Sequence, residues 1–127
     1  MAVPKAIYKK ILVADDEKSL ARALELKLSD AGFKIVSVDN GIKAMQILEK
    51  ENFDLIVLDL IMPDMDGYEV MEKLKVMHNQ TPIIALSNLS QEEDIQKAKD
   101  LGANEYYIKS DVPIVEIVKH VQDFFKK

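Results

Sequence analysis

The chain has 127 residues, the length of one domain, and its 17 basic against 22 acidic side chains give a formal charge of −5. Its 48% hydrophobic and 31% charged content is that of a folded soluble domain, and its acidity, without a basic stripe, argues against direct nucleic-acid binding. The absence of cysteine removes disulfides, thiolate metal sites and cysteine nucleophiles.

The first apolar run, Ile11-Leu12-Val13-Ala14, predicts a strand buried on both faces. Leu20, Leu24 and Leu28 follow at four-residue spacing, the stripe of an amphipathic helix. Ile35 to Val38 predicts the second strand, and Ala44, Ile47 and Leu48 form the apolar face of a short helix. Leu55 to Leu58 is the third strand, again continuously apolar. The helix after it has Val70, Leu74 and Met77 as its apolar face and Asp66 as its cap. Ile83 to Leu86 predicts the fourth strand. The following stretch, Gln91 to Asp100, has Ser90 placed as a cap but only Ile95 and Ala98 as apolar residues, with Leu101 just beyond. It is expected to be the most weakly held helix. Tyr106-Tyr107-Ile108 is a weaker fifth strand, and Ile114, Ile117, Val118, Val121 and Phe125 give the last helix a wide stripe. Gly32, Gly41, Gly67 and Gly102 fall at helix ends or loops.

Five strand–helix units in succession predict an α/β doubly wound parallel sheet with helices on both faces. The expectation is a single domain over residues 1–127, with no linker and no room for a separate output domain. No apolar run approaches the roughly 18 residues of a membrane span, and MAVPKAIYKK lacks the apolar segment of a signal peptide. The expected compartment is the cytoplasm.

Ligands of such sheets sit beyond the C-terminal ends of the strands. Asp15-Asp16-Glu17 follows the first strand, Asp59 the third, Ser87-Asn88 the fourth and Lys109 the fifth. Asp59 is read as a turn cap or as a nucleophile or metal ligand. Asp15 and Asp16 are read as an acidic helix start or as part of a cation site. Clustered carboxylates raise one another's pKa, and an all-oxygen set suits a hard cation such as Mg²⁺. Removing Asp16 is therefore expected to raise the metal-free melting temperature. Ser87 and Lys109 are each unremarkable alone; with three aspartates they fit phosphoryl handling. His78 and His120 read as solvent-facing helical residues. There is no Gly-rich phosphate loop, HExxH or GxSxG.

The segments ILVADDE (11–17), LIVLDLIMPDMDGYE (55–69), PIIALS (82–87) and GANEYYIKS (102–110) together resemble the receiver (CheY-like) domain of two-component response regulators, from about Lys10 to Phe125. The resemblance implies a flavodoxin-like five-stranded sheet of order 2-1-3-4-5 with five helices. It implies phosphorylation of Asp59 by a histidine kinase or phosphotransfer protein, with Mg²⁺ (or Mn²⁺) held by Asp15, Asp16, Asp59 and the carbonyl of Ile61. Asp16 would bind the ion directly and Asp15 mainly through water. Lys109 would pair with the phosphoryl group, Ser87 would move to hydrogen-bond it, and Tyr106 would be the switch aromatic that turns inward. Alternation along the strand sends the adjacent Tyr107 to the other face. Output would pass through the last two strand–helix segments to a downstream protein target, with no nucleic acid or membrane contact. The chemistry would be self-catalysed transfer to, and hydrolysis from, Asp59. The alternatives are a receiver-like binding module that is never phosphorylated and a Mg²⁺-dependent phosphohydrolase.

Three departures stand out. Ser110 replaces the family's proline, for which a trans Lys109–Ser110 bond is expected, with Pro113 opening the last helix. Asn88 stands where a small residue is usual. Ile61 and Leu89 place apolar side chains where polar ones are common, which predicts slow autodephosphorylation.

Overall fold

Strands and helices alternate through residues 8–126, which the computed structural model describes. The order is β1 (Lys10–Ala14), α1 (Lys18–Asp30), β2 (Lys34–Val38), α2 (Gly41–Leu48), β3 (Leu55–Leu58), α3 (Gly67–Val76), β4 (Ile83–Ser87), α4 (Glu92–Asp100), β5 (Glu105–Ile108) and α5 (Ile114–Phe124). All neighbours in the sheet are parallel and the order is β2-β1-β3-β4-β5, as expected.

The two-residue period of a strand divides the core in two. Leu12, Ala14, Ile56, Leu58, Ile83 and Ala85 face α2, α3 and α4. Ile11, Val13, Leu55, Val57, Ile84 and Leu86 face α1 and α5. Burial on both faces is why β1, β3 and β4 read as unbroken apolar runs.

Helix ends follow local chemistry. Asp66 caps α3 as expected, accepting from the Glu69 amide at 2.9 Å. Asn40 caps α2 in the same way, through the Lys43 amide at 2.8 Å. The expected Ser90 cap is not formed: α4 begins at Glu92 behind Gln91, with no side-chain cap bond. Glu92, Glu93 and Asp94 in its first turn offset the helix dipole instead. Pro113 stands immediately ahead of α5, and the Lys109–Ser110 peptide is trans, leading into a 3₁₀ turn over Lys109–Asp111.

Two apolar faces differ in detail from the sequence pattern. Met77 lies past the end of α3 and is exposed, while Met71 packs in the core. In α2, Met45 is buried and Ile47 half-buried. His78 sits in a turn with φ of 57°. His120 is half-buried and stacks on Tyr107 at 4.3 Å between ring centres.

Of the residues in α4, Ala98 alone is buried. Polar contacts supplement it: Tyr68 donates to the Asp94 carbonyl at 3.0 Å, and Lys97 lies 4.3 Å over the Tyr68 ring. Among the described residues no helix is long and apolar enough to cross a membrane.

Candidate functional site

The ladder continues one residue past β1 and β3. The Asp15 amide donates to Val38 at 3.1 Å, and the Asp59 amide donates to Ala14 at 2.9 Å. This carries both aspartates off adjacent central strands, side by side at the C-terminal edge of the sheet, where they are 3% and 4% exposed. Ser87, the last residue of β4, is fully buried beside them. Lys109 enters from the end of β5.

Lys109 binds the two buried carboxylates together. Its Nζ lies 2.9 Å from Asp15 Oδ2 and 2.9 Å from Asp59 Oδ2, with Glu17 Oε1 at 3.6 Å. The remaining oxygens are also occupied: Asp15 Oδ1 accepts from the Glu17 amide at 2.8 Å, and Asp59 Oδ1 accepts from the Ile61 amide at 3.1 Å. Asp16 is exposed at the rim. Oxygens of Asp15, Asp16 and Asp59 nonetheless all lie within 4.8 Å of one another.

Burial pushes the Asp15 carboxyl up to about 6, against the pull of Lys109 and the Glu17 amide, and nearby Asp59 adds to the rise. Burial also works against the Lys109 ammonium. Its bonds to Asp15 and Asp59 outweigh that and hold its pKa above the ordinary lysine value. One ammonium against three carboxylates leaves the edge with surplus negative charge. Hard oxygen donors in that arrangement fit a divalent cation.

A second layer ties the site to the β4–α4 loop. Ser87 Oγ accepts from the Leu89 amide at 3.3 Å, and the Tyr106 hydroxyl donates to the Leu89 carbonyl at 2.6 Å. Burial raises the Tyr106 pKa, with the Ser87 hydroxyl opposing it. Tyr106 packs on the α2–α3–α4 side and Tyr107 on the α1–α5 side, so alternation separates them as expected. Leu89 was noted in the sequence for its side chain, yet its backbone makes the link. Nothing in a residue type announces that.

Gly67 is likewise more than a loop residue. A Cβ there would stand 2.3 Å from the carbonyl oxygen of Asp59, so only glycine lets α3 start against the backbone of that residue. A Cβ on Gly41 would meet the Met65 carbonyl at 2.1 Å, locking α2 to the same β3–α3 loop. Ile61 is exposed beside Asp59, and Asn88 is exposed beyond Ser87. Neither histidine belongs to the acidic cluster.

Comparison with known proteins agrees with this geometry. Residues 11–122 match the family described as "Response regulator receiver domain". "Probable transcriptional regulator ycf27" of Porphyridium aerugineum is 43% identical over 100 residues, which are 79% of this chain and 41% of that protein. "Alkaline phosphatase synthesis transcriptional regulatory protein PhoP" of Bacillus subtilis (strain 168) is 38% identical over 101 residues, 80% of this chain and 42% of that one. The chain thus spans about two fifths of the length of these curated relatives. Among solved structures, the Francisella response regulator 1452 receiver domain superposes with a TM-score of 0.86 at 30% identity, covering 93% of this chain and 97% of that one. The phosphorylated cyanobacterial phytochrome response regulator RcpA gives 0.81 at 32% identity, covering 92% and 93%.

Proposed function

The chain belongs to the response regulator receiver domain family, and on that premise we propose that it is a phosphoacceptor switch with Asp59 as its phosphorylated residue. The supporting observation is the buried Asp15–Lys109–Asp59 bridge, with Asp16 at its rim. The donor is a histidine kinase or phosphotransfer protein. An oxygen of Asp59 attacks the phosphorus of the donor's phosphohistidine. An O–P bond forms, the N–P bond breaks, and the electron pair leaves with the imidazole nitrogen, which takes up a proton.

Each neighbouring side chain has a task. Lys109 screens Asp59 before transfer and then pairs with a phosphoryl oxygen. Ser87 Oγ accepts from Leu89, and its hydroxyl turns its own proton toward a second phosphoryl oxygen after transfer. Asp15, Asp16, Asp59 and the Ile61 carbonyl are the residues that would hold Mg²⁺ (or Mn²⁺). When bound, the ion neutralises charge on the transferring group.

The phosphoryl group adds charge and acceptor oxygens at the sheet edge. Ser87 moving toward it pulls on Leu89, which Tyr106 already grips. The equilibrium between arrangements of the α4–β5–α5 surface then shifts, and a downstream protein reads that surface. The thin apolar anchoring of α4 suits a face that moves. We place this activity in the cytoplasm and assign it no direct contact with nucleic acid or membrane. Apolar Ile61 and Leu89 supply no polar side chain to orient water, which makes hydrolysis of the acyl phosphate slow.

Intact mass after incubation with acetyl phosphate and Mg²⁺ tests the proposal. A single phosphoryl adduct is expected on the wild type and none on Asp59→Asn. No adduct on either would favour a binding module that is never phosphorylated, and would point to Asn88 and Ser110 as the blocking departures.

A further inference from the structure

A groove of about 450 Å³ runs between α2 and α3, on the opposite side of α3 from α4. Its apolar lining is Met45, buried at its base, with Val76 and Met77 along its edge at 79% and 42% exposed. Its rim carries Glu49, Glu69 and Glu72, all exposed. Among the described residues no cation lies within ion-pairing distance of these glutamates, and Lys73 is the one cation lining the groove. The walls are fixed at their upper end, because Gly41 and Gly67 seat both helices against the β3–α3 loop. Such a preformed cleft loses little freedom on binding.

We propose that this groove docks a cationic amphipathic helix of a partner protein. Charge complementarity selects that occupant. Three glutamates against one lysine attract basic side chains, while Val76, Met77 and Met45 receive two or three apolar anchors. Methionines adapt their shape to such anchors. A second copy of this chain fits poorly, since its net charge is −5 and like charges would face one another. The proposal does not depend on phosphorylation of Asp59.

The probe is a synthetic amphipathic helix of about 14 residues, with leucine at i, i+3, i+4 and i+7 and lysine elsewhere. It is titrated into the ¹⁵N-labelled chain. Amide shifts are expected on Met45, Glu72, Val76 and Met77. The affinity is expected to fall roughly tenfold or more in the Glu69→Lys/Glu72→Lys double variant and in Val76→Asp. All three positions are exposed, so the variants keep the fold, which their own spectra verify. The same peptide with glutamate for lysine is expected not to bind. Shifts centred on Asp15 and Asp16 or on α4, or affinities unchanged in both variants, would overturn the proposal. So would groove shifts that appear with protein concentration alone, which would identify a second copy as the occupant.

Discussion

Burial and ion pairing pull Asp15 in opposite directions, and burial wins. Its carboxyl titrates near 6 in the folded chain against an ordinary value of 3.8. Between those values the folded state holds a proton that the unfolded chain has released. The residue's contribution to stability therefore falls as pH rises through that window and stays low above it. Lys109 has the same slope at the alkaline end of the scale: its raised pKa stabilises the fold below the ordinary lysine value, and that contribution is lost as pH rises through its folded value. Asp15→Asn, which removes the buried charge and keeps acceptors for Lys109 and the Glu17 amide, is expected to stabilise the metal-free protein by about 1–3 kcal/mol at pH 7. Melting curves from pH 4 to 8 test this. The variant's advantage should shrink as pH falls below about 6 and vanish near the ordinary aspartate pKa. A constant advantage would mean that Asp15 ionises freely. Asp16 stands exposed at the rim of the same cluster.

At the scale of an element, α3 shows how an ending is enforced. The His78 amide donates to Lys75 at 3.1 Å and the Asn79 amide to Leu74 at 2.9 Å, closing the helix through a left-handed residue. The other two helix endings of this type, after α1 and α4, use Gly32 and Gly102 at φ of 99° and 113°. Histidine at 57° carries a steric cost that glycine would avoid. His78→Gly is expected to stabilise the fold by roughly 0.5–1 kcal/mol, read as an increased denaturation midpoint at unchanged m-value. A decrease would show that the imidazole makes a compensating contact. The contrast with α4 is instructive. Its stripe of apolar residues is thin, Ser90 does not cap it, and Tyr68 holds it by one hydrogen bond and one cation–ring contact. Those contacts stabilise less than apolar burial would.

For the whole molecule, the acidic edge is where a bound cation would couple to folding. Three carboxylates gathered by two strand ends exist as a set only in the folded chain, so a cation that binds them stabilises the fold by mass action. Mg²⁺ at about ten times its dissociation constant is expected to add about 1.4 kcal/mol, seen as a higher melting temperature. Asp16→Ala should remove most of that increment and a chelator should reverse it. An unchanged melting temperature at high Mg²⁺ would argue against a cation at this edge.

The fold was legible because its signals are local. Apolar runs such as Leu55 to Leu58 mark strands buried twice over, and the four-residue spacing of Leu20, Leu24 and Leu28 marks a helix packed on one face. The candidate site residues were legible because each follows a strand, and a parallel sheet brings all such positions to one edge. Sequence by itself thus determined the strand order, through resemblance, and the membership of the acidic cluster. Tertiary structure alone decided how the charges are shared. It buried Asp15 and left Asp16 in water, set Lys109 between two carboxylates, joined Ser87 to Tyr106 through the backbone of Leu89, and turned Met77 out into the α2–α3 groove. These outcomes depend on desolvation and on distances between residues remote in the chain, and such quantities do not exist until the elements pack.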